Sequence, residues 1–281
     1  MPNKVLVVCC ILFLVLALLF GLSGCGSNLS AQQISSNTIN NSSTLQTARF
    51  TQTMQEVFEV IGGSNPGNLT YSTDATGSVN LLARELEYTT NVSMYGTGVE
   101  GKQNASGDFY LMGGWMYMKI SVPGEADQWT KQESSNDTWV SEDQIDQQVQ
   151  TLKAANKITN LGAEKVDDVD CYIIQITPES EINALMKSGL ADELSGFGLS
   201  LSKTVDWSNL VKYYSVKEWI SKDKFLPVKL YSDMSLEILP QDLANTTEDI
   251  DRITINISTQ TNYYDYNKPV DIQLPPDARN A

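Results

Sequence analysis

Between Leu86 and Met94 the chain alternates strictly: Leu86, Tyr88, Thr90, Val92 and Met94 are interleaved with Glu87, Thr89, Asn91 and Ser93. A side-chain period of two puts one set of residues against a core and the other in water, which only a half-buried β-strand can satisfy. The pattern returns from Leu69 to Val79, in Val216–Lys222, in Phe225–Leu236, and in Arg252–Tyr264, where Ile253, Ile255 and Ile257 face one way. A chain with this much alternation must build a large sheet with one wet face. The sharpest local case is Asp108–Ile120. Gly113-Gly114 supplies a two-residue turn with positive φ, which fixes the pairing of Met112 with Trp115, Leu111 with Met116, Tyr110 with Tyr117, Phe109 with Met118 and Asp108 with Lys119. One face of this hairpin then carries Phe109, Leu111, Met116, Met118 and Ile120, and is expected to be buried. The other carries an Asp–Lys pair and the Tyr110, Trp115 and Tyr117 rings.

Helical spacing interrupts the strands in three places. Met54, Val57, Phe58 and Ile61 fall at i, i+3, i+4 and i+7, which predicts a helix from about Leu45 to Ile61. A second helix is expected near Ser141, with Gln144 completing a capping box and Ile145, Val149 and Leu152 as its apolar stripe. Thr177-Pro178 opens a third, with Ile182, Leu185 and Met186 on one side and a break at Gly196-Phe197-Gly198-Leu199. An Asp167-Asp168 turn joins two strands, and Val270–Leu274 reads as a short closing strand. Helix, strands, helix, strands, helix, strands is the order of an α+β architecture, an antiparallel sheet with helices on one face.

The N-terminus sets the compartment. Lys4 precedes sixteen apolar residues, Val5–Phe20, and Leu22-Ser23-Gly24-Cys25 follows. Sixteen helical residues span roughly 24 Å, short of the ~30 Å hydrocarbon core, so the run reads as a secretory signal. Leu-Ser-Gly-Cys resembles the bacterial lipobox, which implies that residues 1–24 are removed and that Cys25 is lipidated. The protein is then anchored on the extracytoplasmic face of the membrane, in the cell envelope. Residues 26–44, rich in Ser, Asn and Thr, read as a flexible tether, and 45–281 as the folded domain. The 257 residues after the cut carry 18 Lys and Arg against 34 Asp and Glu. That balance speaks against nucleic acid as a partner. Cys171 alone remains as a thiol, so stability rests on a hydrophobic core rather than disulfides.

Catalysis finds little support. The chain has no histidine, which removes the commonest general base and metal ligand. No phosphate loop or calcium-loop spacing occurs, and Cys171 in Val-Asp-Cys-Tyr-Ile-Ile reads as a small core residue. The expectation is a protein that is not an enzyme and holds no cofactor or metal.

Several segments, taken in order, carry a resemblance. They are the hairpin Phe109-Tyr110-Leu111…Tyr117-Met118, the unit Gly162-Ala163-Glu164-Lys165-Val166-Asp167-Asp168-Val169-Asp170-Cys171-Tyr172-Ile173-Ile174, Lys217-Glu218-Trp219-Ile220-Ser221-Lys222-Asp223 with Leu226-Pro227-Val228-Lys229, and Tyr264-Asp265-Tyr266-Asn267-Lys268-Pro269. Together, over roughly residues 45–275, these resemble the LolA/LppX/LprG-type superfamily of envelope lipoproteins and lipid carriers. Asp168 departs from the pattern, since relatives often carry Gly there. The resemblance implies a strongly curved, incomplete antiparallel barrel with helices covering its concave face, and between them an apolar cavity for a lipid or acyl chain. It brings no catalytic residues. Cavity candidates are Phe58, Tyr88, Val92, Phe109 and Leu111 from the expected first helix and the strands, with Met116 and Met118. Ile182 and Leu185 join them from the third helix, and Gly196, Phe197 and Gly198 are lid candidates. Adaptable methionines suit a ligand of irregular shape. The other expectation is an envelope sensor that docks a protein through Tyr110, Trp115 and Tyr117 without lipid transport.

Overall fold

The computed structural model describes residues 29–63, 66–155, 157–177, 200–202, 205–244 and 249–281. One large antiparallel sheet dominates them. In chain order the elements are α1 (Ala31–Ser42), β1 (Thr47–Gly62), β2 (Gly67–Asn80), β3 (Glu85–Gly96), β4 (Gln103–Met112), β5 (Trp115–Ser121) and β6 (Gln128–Glu133). Then come α2 (Asn136–Glu142), α3 (Gln144–Ala154), β7 (Lys157–Val166), β8 (Val169–Thr177), α4 (Trp207–Leu210), β9 (Val211–Ser221), β10 (Pro227–Ile238) and β11 (Ile250–Tyr264). The sheet has eleven strands in the order β6-β5-β4-β3-β2-β1-β11-β10-β9-β8-β7, so β1 and β11 lie side by side at its middle and β6 and β7 form its edges.

The hairpin register follows the sequence prediction pair for pair from Asp108↔Lys119 to Met112↔Trp115, and Asp108 and Lys119 form an ion pair at 2.7 Å. The faces differ from the prediction at two points. Ile120 is 57% exposed, and Tyr117, on the opposite face, is only 8% exposed. Lys131, from the neighbouring strand β6, lies over the rings of both Tyr117 and Trp115, which buries a phenol that the alternation places in water. Asp167 and Asp168 turn between β7 and β8 with φ of 44° and 68°. Asp tolerates this left-handed conformation, so the turn survives without the glycine of the resembling family.

Four sequence expectations are corrected. Residues 47–62, expected as a helix, form the longest strand, paired along its length with β2 and β11. Gln52 and Glu56 point to the same face as Ala48, Phe50, Met54 and Phe58; these polar residues on the inner face break the alternation and leave an accidental helical spacing. Residues 31–42, expected to be tether, form a capped helix. Gln33 N–H donates to Ser30 Oγ at 3.2 Å and the Ser30 N–H donates to Gln33 Oε1 at 2.9 Å, a reciprocal pairing that satisfies two orphan donors. Ile34 then anchors the helix in a core with Leu152, Ile174, Ile176 and Ile220. The second helix begins after Asp143, not at Ser141. Asp143 is its N-cap, accepting from Asp146 N–H, and a separate short helix ends just before it. Val270–Leu274 is irregular, although Ile272 is buried. The expected helix after Thr177, with Ile182 and Leu185, and the lid candidates Gly196, Phe197 and Gly198 lie outside the described residues.

The core sits on one face of the sheet, here called the inner face, in three clusters. The first gathers Phe50, Val79, Leu86, Phe109, Leu111 and Tyr263 beneath Ile145 of α3. The second is built on Phe58, Leu236, Ile238, Ile253 and Ile255, closed by Leu210 of α4. The third lies under α1 and the end of α3. Among the described residues, α1 and α3 cover the first and third clusters, so helical cover of the inner face is partial.

Candidate functional site

Strand register places the inner face in rows. One row runs Thr259–Met54–Thr73–Val92 across β11, β1, β2 and β3, and the next runs Ile257–Glu56–Tyr71–Met94. Between the first cluster and the second, Met54, Tyr71, Val92 and Met94 are half-buried and, among the described residues, belong to none of the three packed clusters. Met118 on β5 shares these properties and pairs with Phe109. Together they make a strip of half-buried apolar side chains on the inner face of β1, β2, β3 and β5, with the buried Glu56 beside Tyr71 and Phe109 of the first cluster beside Met118.

The sequence-predicted residues divide accordingly. Val92 and Met118 lie on the strip. Tyr88 and Met116 border it, partly buried against the first cluster, and Tyr88 stacks on Phe109 with ring centroids 4.7 Å apart. Burial and the neighbouring Glu142 carboxyl push the Tyr88 phenol far up, so it stays neutral. Phe109 and Leu111 are packed inside the first cluster and Phe58 inside the second, where they touch other side chains. Met54 and Tyr71 were hidden by the helical reading of residues 45–61 and by the unresolved facing of β2. Tyr110, Trp115 and Tyr117 lie on the opposite face, engaged with Trp129, Lys119 and Lys131.

Beside the strip the inner face turns polar. Where α3 crosses β9, β10, β11 and β1 it leaves a cavity of about 210 Å³, lined mainly by Gln, Thr, Ser, Tyr and Glu side chains. That is smaller than a typical pocket for a drug-sized ligand, and its wall is not the oily one the resemblance implies. At its floor lies Glu218, with no exposed surface. Burial pushes its carboxyl up to about 8, opposed by a hydrogen bond from the Gln148 side chain. Gln52 Nε2 donates to Thr261 Oγ1 at 3.2 Å across the same wall. The signal for Glu218 was present in the sequence: in Val216-Lys217-Glu218-Trp219-Ile220 it alternates in step with two inward-facing apolar residues. Among the described residues no group of His, Cys, Asp and Glu could hold a metal ion, and no helix is long and apolar enough to cross a membrane. Cys171 is fully buried and its thiol is pushed up to about 11 by that burial, which disfavours the thiolate.

In fold the chain is similar to LprF from Mycobacterium bovis, with 12% identity and a TM-score of 0.47 over 87% of this chain and 96% of that one. It is also similar to the Mycobacterium tuberculosis lipoprotein LppX, with 12% identity and a TM-score of 0.43 over 86% and 98%. A DUF1329 family protein from Desulfovibrio piger aligns with 12% identity and a TM-score of 0.26 over 86% and 93%. No curated protein matches the sequence. The family model that does match spans residues 30–281, and the chain belongs to the family it describes, the family of unknown function DUF6612.

Proposed function

We propose that this protein is an envelope lipoprotein, held to the membrane through Cys25, that binds an apolar ligand along the inner face of its sheet. The observation that carries this reading is the strip of Met54, Tyr71, Val92, Met94 and Met118, half-buried and, among the described residues, outside the three packed clusters. Side chains in this state have apolar surface still to lose to a partner, and each CH₂ of a chain laid against them gains about 0.8 kcal/mol as it leaves water. Three of the five are methionines, whose unbranched side chains adapt to irregular ligands. The ligand class is a lipid or acyl chain. Binding, rather than turnover, fits a chain without histidine whose one mature thiol is buried and protonated.

The test is native mass spectrometry of the full chain after detergent removal, with uptake of a fluorescent fatty acid measured in parallel. The reading predicts a co-purifying lipid mass and saturable uptake. Val92→Asp should weaken uptake at least about tenfold, while Thr76→Asp on the outer face should leave it unchanged. Repeated absence of both lipid and uptake would overturn the proposal.

A further inference from the structure

The polar cavity beneath α3 adjoins the apolar strip. Gln52, in the cavity wall, and Met54, on the strip, are two residues apart on the same face of β1, and Thr259 in the wall pairs with Met54. The wall gathers buried side-chain oxygens, Glu218 Oε1 and Oε2, Gln148 Oε1 and Gln144 Oε1, around a single amide nitrogen, Gln148 Nε2, which lies beside the Glu218 carboxyl. Buried polar groups are nearly always paired, and one amide cannot serve four oxygens, so the wall has acceptor capacity left for a ligand that donates. Among the described residues no Lys or Arg lines the cavity. A ligand seated here is therefore rich in donors, and a negatively charged head finds no cation to meet it.

We propose that the ligand is an amphiphile with a primary ammonium head, the head bound to Glu218 and Gln148 under α3 and the alkyl chain running from Met54 onto β2 and β3. This inference rests on the apolar-ligand reading above and names the chemistry of the ligand's polar end. An ammonium offers three donors and no acceptor, and its charge offsets the cost of an ionised Glu218 in the protein interior. The cavity is of head-group size, and the strip takes up the tail.

Binding exchanges the ammonium for a proton. In the empty site Glu218 is protonated at neutral pH; on binding it ionises and releases that proton to solvent. The groups near it do not compete. The Tyr214, Tyr263 and Tyr266 phenols are pushed up by burial and stay neutral, the neighbouring strands contribute Ile174 and Leu230, and α3 contributes Gln144 and Gln148. Asp143, at the α3 N-cap, is the nearby carboxyl felt by Tyr263; it adds negative charge and so favours a cation too. Affinity for the amine should rise about tenfold per pH unit below about 8 and level off above it.

The experiment compares tetradecylamine, tetradecanol and tetradecanoate as competitors of the fluorescent probe, from pH 6 to pH 9, on the full chain and on Glu218→Gln and Gln148→Leu. The expected result at pH 8 is an amine bound at least about tenfold more tightly than the alcohol, and a carboxylate bound more weakly than both. In Glu218→Gln the amine should fall to within about twofold of the alcohol, with the pH dependence of amine binding gone. Gln148→Leu should weaken the amine more than the alcohol. If alcohol and amine bind equally in the parent chain, the head-group proposal is overturned while the apolar-ligand reading stands. If none of the three binds, both fail.

Discussion

A carboxyl group with no exposed atom, such as Glu218, ties stability to pH in a direction opposite to that of most surface carboxylates. The folded protein keeps the Glu218 proton up to about pH 8, whereas an unfolded chain releases it near its ordinary 4.5. Unfolding therefore releases a proton between those values, and stability falls as pH rises through that window. Burial also raises Glu87, Glu142 and Asp143, which adds to the same slope. In thermal melts the parent chain should be most stable near pH 5 and lose stability toward pH 8. Glu218→Gln should be as stable as the parent near pH 4 and more stable at pH 7, by up to about 3 kcal/mol. A variant less stable than the parent at pH 7 would show that Glu218 has an ionised, paired role in the empty protein. A polar residue kept at this cost fits a binding site better than a core position, where an apolar isostere serves stability better.

At the scale of elements, the tether that turned out to be a helix is the clearest departure. Residues 31–42 have one strong apolar anchor, Ile34, among Ser, Asn, Gln and Thr, so composition alone gives no stripe. What makes the helix is the Ser30–Gln33 capping box together with burial of Ile34 and Thr38 against the sheet and α3. Ser30→Ala should destabilise this helix by about 1 kcal/mol, seen as faster amide exchange from Ile34 to Thr38 while β1 and β11 keep their protection. Unchanged exchange there would mean the cap contributes nothing. The β4–β5 hairpin was legible down to its register because Gly113-Gly114 fixes the turn and both strands alternate cleanly. The first strand was not, because Gln52 and Glu56 face inward. That irregularity is itself informative: polar residues on the inner face, Gln52, Thr259, Thr261, Ser232 and Glu218, are the wall of the cavity. The sequence rules failed where the site begins.

At the scale of the molecule, the described helices cover the eleven-stranded sheet only in part, and the three described core clusters leave some of its inner face unfilled. The antiparallel sheet, the run of strands after residue 200 and the stripe Ile145, Val149 and Leu152 could be read from the sequence, since each rests on local periodicity; the expected helical cover of the inner face is met only in part among the described residues. The side-by-side pairing of β1 with β11, which joins the two halves of the sheet, has no local signal; it depends on residues some two hundred positions apart in sequence finding each other. The same holds for the strip, whose five residues come from four strands and acquire meaning only once the register is known. An acyl chain carrying a photoactivatable diazirine, cross-linked to the protein and mapped by peptide mass spectrometry, tests this most directly. The account predicts labels on Met54, Tyr71, Val92, Met94 and Met118. Labelling confined to outer-face residues such as Tyr110 and Trp115, or spread without preference over both faces, would contradict it.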